Sequence, residues 1–189
     1  MNSLPRFSFH LARLELRCAG VMLAIVLCLL IFNIFTRAAA QAQYWVDEAA
    51  ITAMVWMTFL AASACLQARS NIAMTLVQDL VPDFLQRLMS VVVDLLMLIF
   101  VSFFLVMVWK WFDLLGLYKN QWDIMAFSAD TFNFIYEEPT QTLGIRKFWV
   151  WLILPVFSFT SVLHCLACLQ TSVQVLLLNR KPTKQYETS

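Results

Sequence analysis

The sequence predicts an all-α integral membrane protein, with four transmembrane helices plus short amphipathic interfacial helices. Three observations carry this. Of 189 residues, 61% are hydrophobic and only 13% charged, about half the charged share of a soluble domain. The mean hydropathy is +0.74, and a water-soluble globule of this size cannot bury that much apolar surface. The apolar residues run continuously rather than alternating, in stretches near the ~20 residues that carry a helix across hydrocarbon. Backbone groups in lipid are satisfied only in helices or closed barrels, so continuous runs mean helices.

The elements follow in order. Residues 1–17 carry two stripes at helical spacing: Arg6, His10, Arg13 and Arg17, and Leu4, Phe7, Leu11 and Leu14. Such a helix either lies on anionic lipid through Arg6, Arg13 and Arg17 or extends the first crossing into water; the amphipathic pattern favours the first. Residues 18–36 hold no charge and form crossing one. They lack a small-residue cleavage site followed by a soluble domain, so this segment is expected to be retained. Residues 49–68, between Glu48 and Arg69, form crossing two.

Residues 70–87 repeat Ile72, Leu76, Leu80 and Phe84 every four positions and Asp79, Asp83 and Arg87 on another face. This predicts an interfacial helix, interrupted at Pro82. Residues 88–109 form crossing three around a single charge, Asp94. The segment 110–147, with five acidic and four basic residues, is too long for a tight turn and is expected to hold short helices or an ordered surface loop. Trp109 and Trp111 at the outer end of crossing three and Trp149 and Trp151 at the start of crossing four suit interfacial anchors. Residues 148–179 form a long fourth crossing kinked at Pro155, and 180–189 a tail. The whole reads as one membrane domain. With both termini cytoplasmic, eight Lys and Arg fall inside and five outside, the orientation that the positive-inside rule prefers.

Composition excludes several function classes. A net charge of +1 without a basic tract leaves no nucleic-acid partner. Five cysteines, all in apolar segments, do not form a disulfide framework. Three glycines exclude a glycine-rich phosphate cradle, and no hydrolase, zinc-protease or EF-hand pattern is present. No catalytic, substrate-binding or metal site and no cofactor is expected. A membrane redox or metal enzyme using His164, Cys165 and Cys168 is the alternative: His and Cys ligate metals and Cys-x-x-Cys is a redox spacing, but a helix-to-helix hydrogen bond from His164 is the better reading. Asp94 reads as a packing or interfacial carboxylate, since no second carboxylate accompanies it as a proton relay needs.

The interface or structural candidates are Asn33, Arg37, Trp45, Asp47, Glu48, Arg69 and Asp94. Asn33 and Arg37 close crossing one, and Asp47 and Glu48 open crossing two, where the helix dipole favours acids. Arg37 is expected to reach Asp47 or Glu48 and tie the two helices together.

These residues also carry a resemblance. Asn33-x-x-x-Arg37, Trp45-x-Asp47-Glu48, Trp56-x-x-Phe59-Leu60 and Arg69-x-Asn71-Ile72, then Thr142-Leu143-Gly144-Ile145 followed by Trp151 and Pro155, resemble the small membrane (Q, DctQ-like) subunit of TRAP transporters, the tripartite ATP-independent periplasmic systems. The resemblance spans most of 19–168; Asn71 stands where many members have His, and the segment before crossing four is longer than usual. It implies a non-catalytic subunit that braces the stationary part of a large permease (M) subunit, working with a periplasmic substrate-binding (P) protein in sodium-driven uptake of an organic acid. A stand-alone four-helix protein, a small exporter or signalling partner, is the other alternative.

Overall fold

The computed structural model describes residues 3–68 and 82–178. Among the described residues the regular elements are helices: α1 (Ser3–Ala38), α2 (Tyr44–Ala68), α3 (Asp83–Phe112), α4 (Leu114–Lys119), α5 (Ile124–Thr131), α6 (Lys147–Trp151) and α7 (Ile153–Leu177). Among the described residues four stretches are long and apolar enough to cross a membrane: α1, α2, α3 with α4, and α6 with α7. Arg69 and most of the helix expected over 70–87 lie outside the described residues, while Asp83 to Arg87 form the first turn of α3.

Residues 3–17 and the first crossing are one unbroken helix. No proline interrupts the chain from Phe7 to Ala38, so nothing turns the amphipathic segment aside. Its inward face is neither of the two stripes read from sequence. Ser8, Ala12, Glu15 and Ala19 are buried, at spacings of four, three and four, while Phe7 and Leu14 stay exposed.

The helix ends are made locally. After α1, Gln41 N–H bonds to Thr36 C=O and Ala40 N–H to Arg37 C=O, with Ala40 at φ 56°. This is a Schellman turn built without glycine. Asp113, left-handed at φ 37°, ends α3 and caps α4 by accepting from Gly116 N–H at 3.0 Å. Asp123 caps α5 through the Met125 and Ala126 amides. Crossing four breaks at Leu152, three residues before Pro155, whose missing N–H cannot hold the Trp151 carbonyl. There the Val150 carbonyl accepts the Trp56 indole N–H at 3.1 Å.

Helices α1 and α2 pack as one hairpin and α3 against α7; α7 also meets α2 and α1, joining the two pairs. Accordingly α7 buries nine side chains against five for α1. The buried positions are mostly small or polar, such as Ala53, Ser63, Ala64, Ser161 and Ala167, whereas Leu23, Leu27, Phe100 and Phe103 face outward. Lipid tails are as apolar as Leu, so close helix approach through small residues replaces hydrophobic collapse.

At the face where α1 turns into α2, hereafter the turn face, α4, α5 and the chain to Lys147 form a cap. Phe112, Leu117, Phe127, Ile135 and Tyr136 are buried there with Val108. Tyr136 packs against Phe148 in a tilted contact at 5.2 Å and edge to face with Phe127 at 5.7 Å, and its hydroxyl donates to the Phe112 carbonyl. Burial, then the Asp113 carboxylate, pushes the phenol up to about 12.

Candidate functional site

The polar side chains gather where helices meet, in three groups.

The first lies at the turn face. Arg37 donates from Nη2 to Asp47 Oδ2 at 2.8 Å and from Nε to Asn33 Oδ1 at 2.9 Å, and Asn33 Nδ2 donates to Asp47 Oδ1. A closed triangle thus joins the last turn of α1 to the first turn of α2. Arg37 and Asp47 are both substantially exposed, and Asn33 is buried beneath them. Trp45 lies beside the triangle, its ring 6.2 Å from Phe32.

Glu48 does not join the triangle. It turns to the segment ahead of α6, where Oε1 accepts Gln141 N–H at 2.9 Å, and Oε2 accepts Thr142 N–H at 2.6 Å, its hydroxyl at 2.5 Å and Leu143 N–H at 2.9 Å. The segment is shaped for this. Gly144 is left-handed at φ 68°, Thr140 N–H bonds back to Ile145 C=O, and Pro139 pairs with Arg146. The amides of 141–143 therefore converge on one carboxylate, a nest of the kind that holds anions. The Trp45-x-Asp47-Glu48 and Thr142-Leu143-Gly144-Ile145 motifs, distant in sequence, form one joint. Further in, Phe59 packs on Phe157 at 5.1 Å and Phe104 on the same ring at 5.9 Å, so Phe59 fastens α2 to α7 while Trp56 fastens it to α6.

The second group lies toward the opposite face. Glu15 of α1 is about 27 Å of helix rise from Asn33 and is buried. Its Oε2 meets His164 Nε2 of α7 at 3.0 Å, and its Oε1 accepts from Ser63 Oγ of α2 at 3.0 Å. Ser8 Oγ shares a hydrogen bond with His164 Nδ1 at 2.7 Å, and Ser63 with Thr160 at 2.9 Å. His164 and Glu15 are almost wholly inaccessible, at 0% and 2%. A buried ionisable group needs a partner and further hydrogen bonds, and each has both. The expected interhelical bond of His164 is present, but its anchor, Glu15, was not singled out from sequence. The signal was there: Glu15 is the lone acid in residues 1–17, on a stripe of small residues.

The third group joins α3 to α7. Asp94 is buried, and Ser172 Oγ donates to its Oδ2 at 2.6 Å. Cys165 and Cys168 are buried free thiols; Cys168 lies 3.8 Å from the Leu66 and Gln67 carbonyls. Among the described residues no three of His, Cys, Asp or Glu are grouped to hold a metal.

Of the lipid-surface candidates, Arg6, Arg13 and Arg17 are exposed on α1, and the Arg13 guanidinium sits 4.2 Å over the Phe9 ring.

Neither the curated proteins nor the solved structures include a match to the chain. The family described as tripartite ATP-independent periplasmic transporters, DctQ component, matches residues 26–177. That stretch takes in the turn-face triangle, the Glu48 joint, His164 and the α3–α7 contact, and the chain belongs to this family.

Proposed function

We propose that the protein is the small, non-catalytic membrane subunit of a TRAP transporter, bracing the stationary part of the large permease subunit during sodium-driven uptake of an organic acid that a periplasmic binding protein delivers. A multi-pass inner-membrane chain of this family is a transporter component; the bracing role, the coupling ion, the cargo class and both partners belong to this reading. The observation that supports it is the use of the polar side chains. Asn33, Arg37, Asp47, Glu48, Glu15, His164 and Asp94 are all engaged in joining one part of the chain to another. A bundle fastened at both ends is rigid, and its outward faces are apolar, suited to lipid and to a larger membrane partner.

In this reading the chain is one membrane domain with crossings at 18–36, 49–68, 88–109 and 148–179 and both termini in the cytoplasm. The turn face is then periplasmic, and the Arg37 triangle and Glu48 joint stand where a periplasmic protein docks. Arg6, Arg13 and Arg17 meet the anionic cytoplasmic leaflet.

The test is co-purification with the large subunit, with transport measured in vesicles. The complex is expected to carry the acid under a sodium gradient, and this chain alone is not. Arg37→Ala, and Asp47→Ala with Glu48→Ala, are expected to insert normally but to lower complex yield or coupling to the binding protein. Uptake by this chain without companions would overturn the assignment.

A further inference from the structure

We propose that the turn face carries a site for one glycerophospholipid, whose headgroup phosphate rests on Lys110. The site is an open groove of about 430 Å³, within the ~300–1,000 Å³ of small-molecule pockets. Lys110, Trp111, Phe134, Glu138, Lys147 and Trp151 are among the residues that line it.

Its position argues for a lipid. Lys110 directly follows the last uncharged residue of crossing three, and Lys147 directly precedes crossing four. The groove therefore opens at the depth where hydrocarbon gives way to headgroups, and two of its walls are tryptophans, which favour that layer. Trp111 and Trp151 touch edge to face at 5.7 Å while each remains accessible. They offer a fixed apolar wall to the glycerol and the first acyl carbons.

Its charge argues for a phosphate. Lys147 Nζ is held by Glu138 Oε1 at 2.5 Å. Lys110 is exposed and makes no ion pair among the described residues. Two lysines against one glutamate leave a single positive charge in excess, matched to one phosphodiester. An ammonium in a hydrocarbon-edged groove binds a phosphate oxygen through a charge-assisted hydrogen bond. The site does not depend on the transporter role; it needs only the membrane-spanning fold.

The experiment uses the full chain in mild detergent, charged with phosphatidylethanolamine, then delipidated stepwise and weighed by native mass spectrometry. One phospholipid is expected to persist on the wild type. Its retention should fall about tenfold in Lys110→Gln, recover in Lys110→Arg, and stay unchanged in Lys119→Gln, a lysine of α4 outside the groove. Diacylglycerol, which lacks the phosphate, should not persist, and millimolar inorganic phosphate should not displace the lipid. A photo-cross-linking residue at Phe134, in cells, should give an adduct of lipid mass. Equal retention in Lys110→Gln and wild type, equal retention of diacylglycerol, displacement by inorganic phosphate, or a protein adduct at Phe134 would each overturn the proposal. The cross-link reads out even if Lys110→Gln fails to fold.

Discussion

Glu48 accepts both the backbone amide and the hydroxyl of Thr142, a residue 94 positions later in the chain. That one side chain, with the amides of Gln141 and Leu143 added, fixes the approach to crossing four from the start of crossing two. Glu48→Gln puts an N–H₂ group where an oxygen faces donors, so two donors oppose each other. Amide hydrogen exchange over residues 140–145 should accelerate in this variant while exchange in α7 stays slow. Unchanged protection of 141–143 would show that Gly144 and the Thr140–Ile145 pairing hold the turn unaided.

Removing one half of the Glu15–His164 pair should cost more than removing both. Glu15→Leu leaves His164 and Ser63 without their acceptor, and His164→Leu leaves a buried carboxylate facing Ser63 alone. Breaking a buried pair costs about 3–5 kcal/mol, whereas replacing both partners with apolar residues is often near neutral. Thermal unfolding in detergent should therefore rank the double variant above either single one. Additive losses would mean that the two side chains do not act as a pair.

Two glycines should fail for different reasons when changed to alanine. At Gly144 a Cβ would meet nothing within 4 Å, but φ is +68°, so Gly144→Ala should lose ~1–2 kcal/mol to backbone conformation alone. At Gly116 a Cβ would lie 2.2 Å from Asp113 Oδ2. Gly116→Ala should displace the Asp113 cap and lose ~1 kcal/mol. Asp113→Ala should be non-additive with Gly116→Ala and nearly additive with Gly144→Ala in the same unfolding assay.

Tyr136 gives the turn-face cap an alkaline limit. Its phenol is raised from 10.0 to about 12 in the folded protein, so the native state favours the protonated form. That contribution is complete below about pH 10 and is lost as pH rises toward 12. Tyrosinate absorbance should show one late-titrating phenol, absent in Tyr136→Phe. A titration curve identical in the variant would remove Tyr136 from that role.

The four crossings were legible because each is a long uncharged run, and the cost of exposing a backbone to lipid leaves a single solution. The Arg37–Asp47 bond was legible too, since a short connection brings two helix ends together whatever the rest of the chain does. Glu48 was read only as a second partner for Arg37. Its real partners are amides, which no side-chain pattern announces, in a turn whose shape depends on Gly144. Glu15 was missed because the strongest local signal, the basic and apolar stripes, pointed elsewhere. Its significance exists only beside His164, 149 residues away. Asp94 was read as a packing carboxylate from its solitude, and Ser172 supplies the donor that such a reading requires.

The span between Glu15 and His164 also sets a timetable. Ribosomes add about 5–20 residues per second, so roughly 7–30 s separate the synthesis of the acid from that of its imidazole. For that interval the leading helix holds a carboxylate whose companion does not yet exist, and α7 closes the knot against α1 and α2 when it arrives. A chain truncated before residue 164 would leave that acid with Ser63 as the one remaining of these two partners.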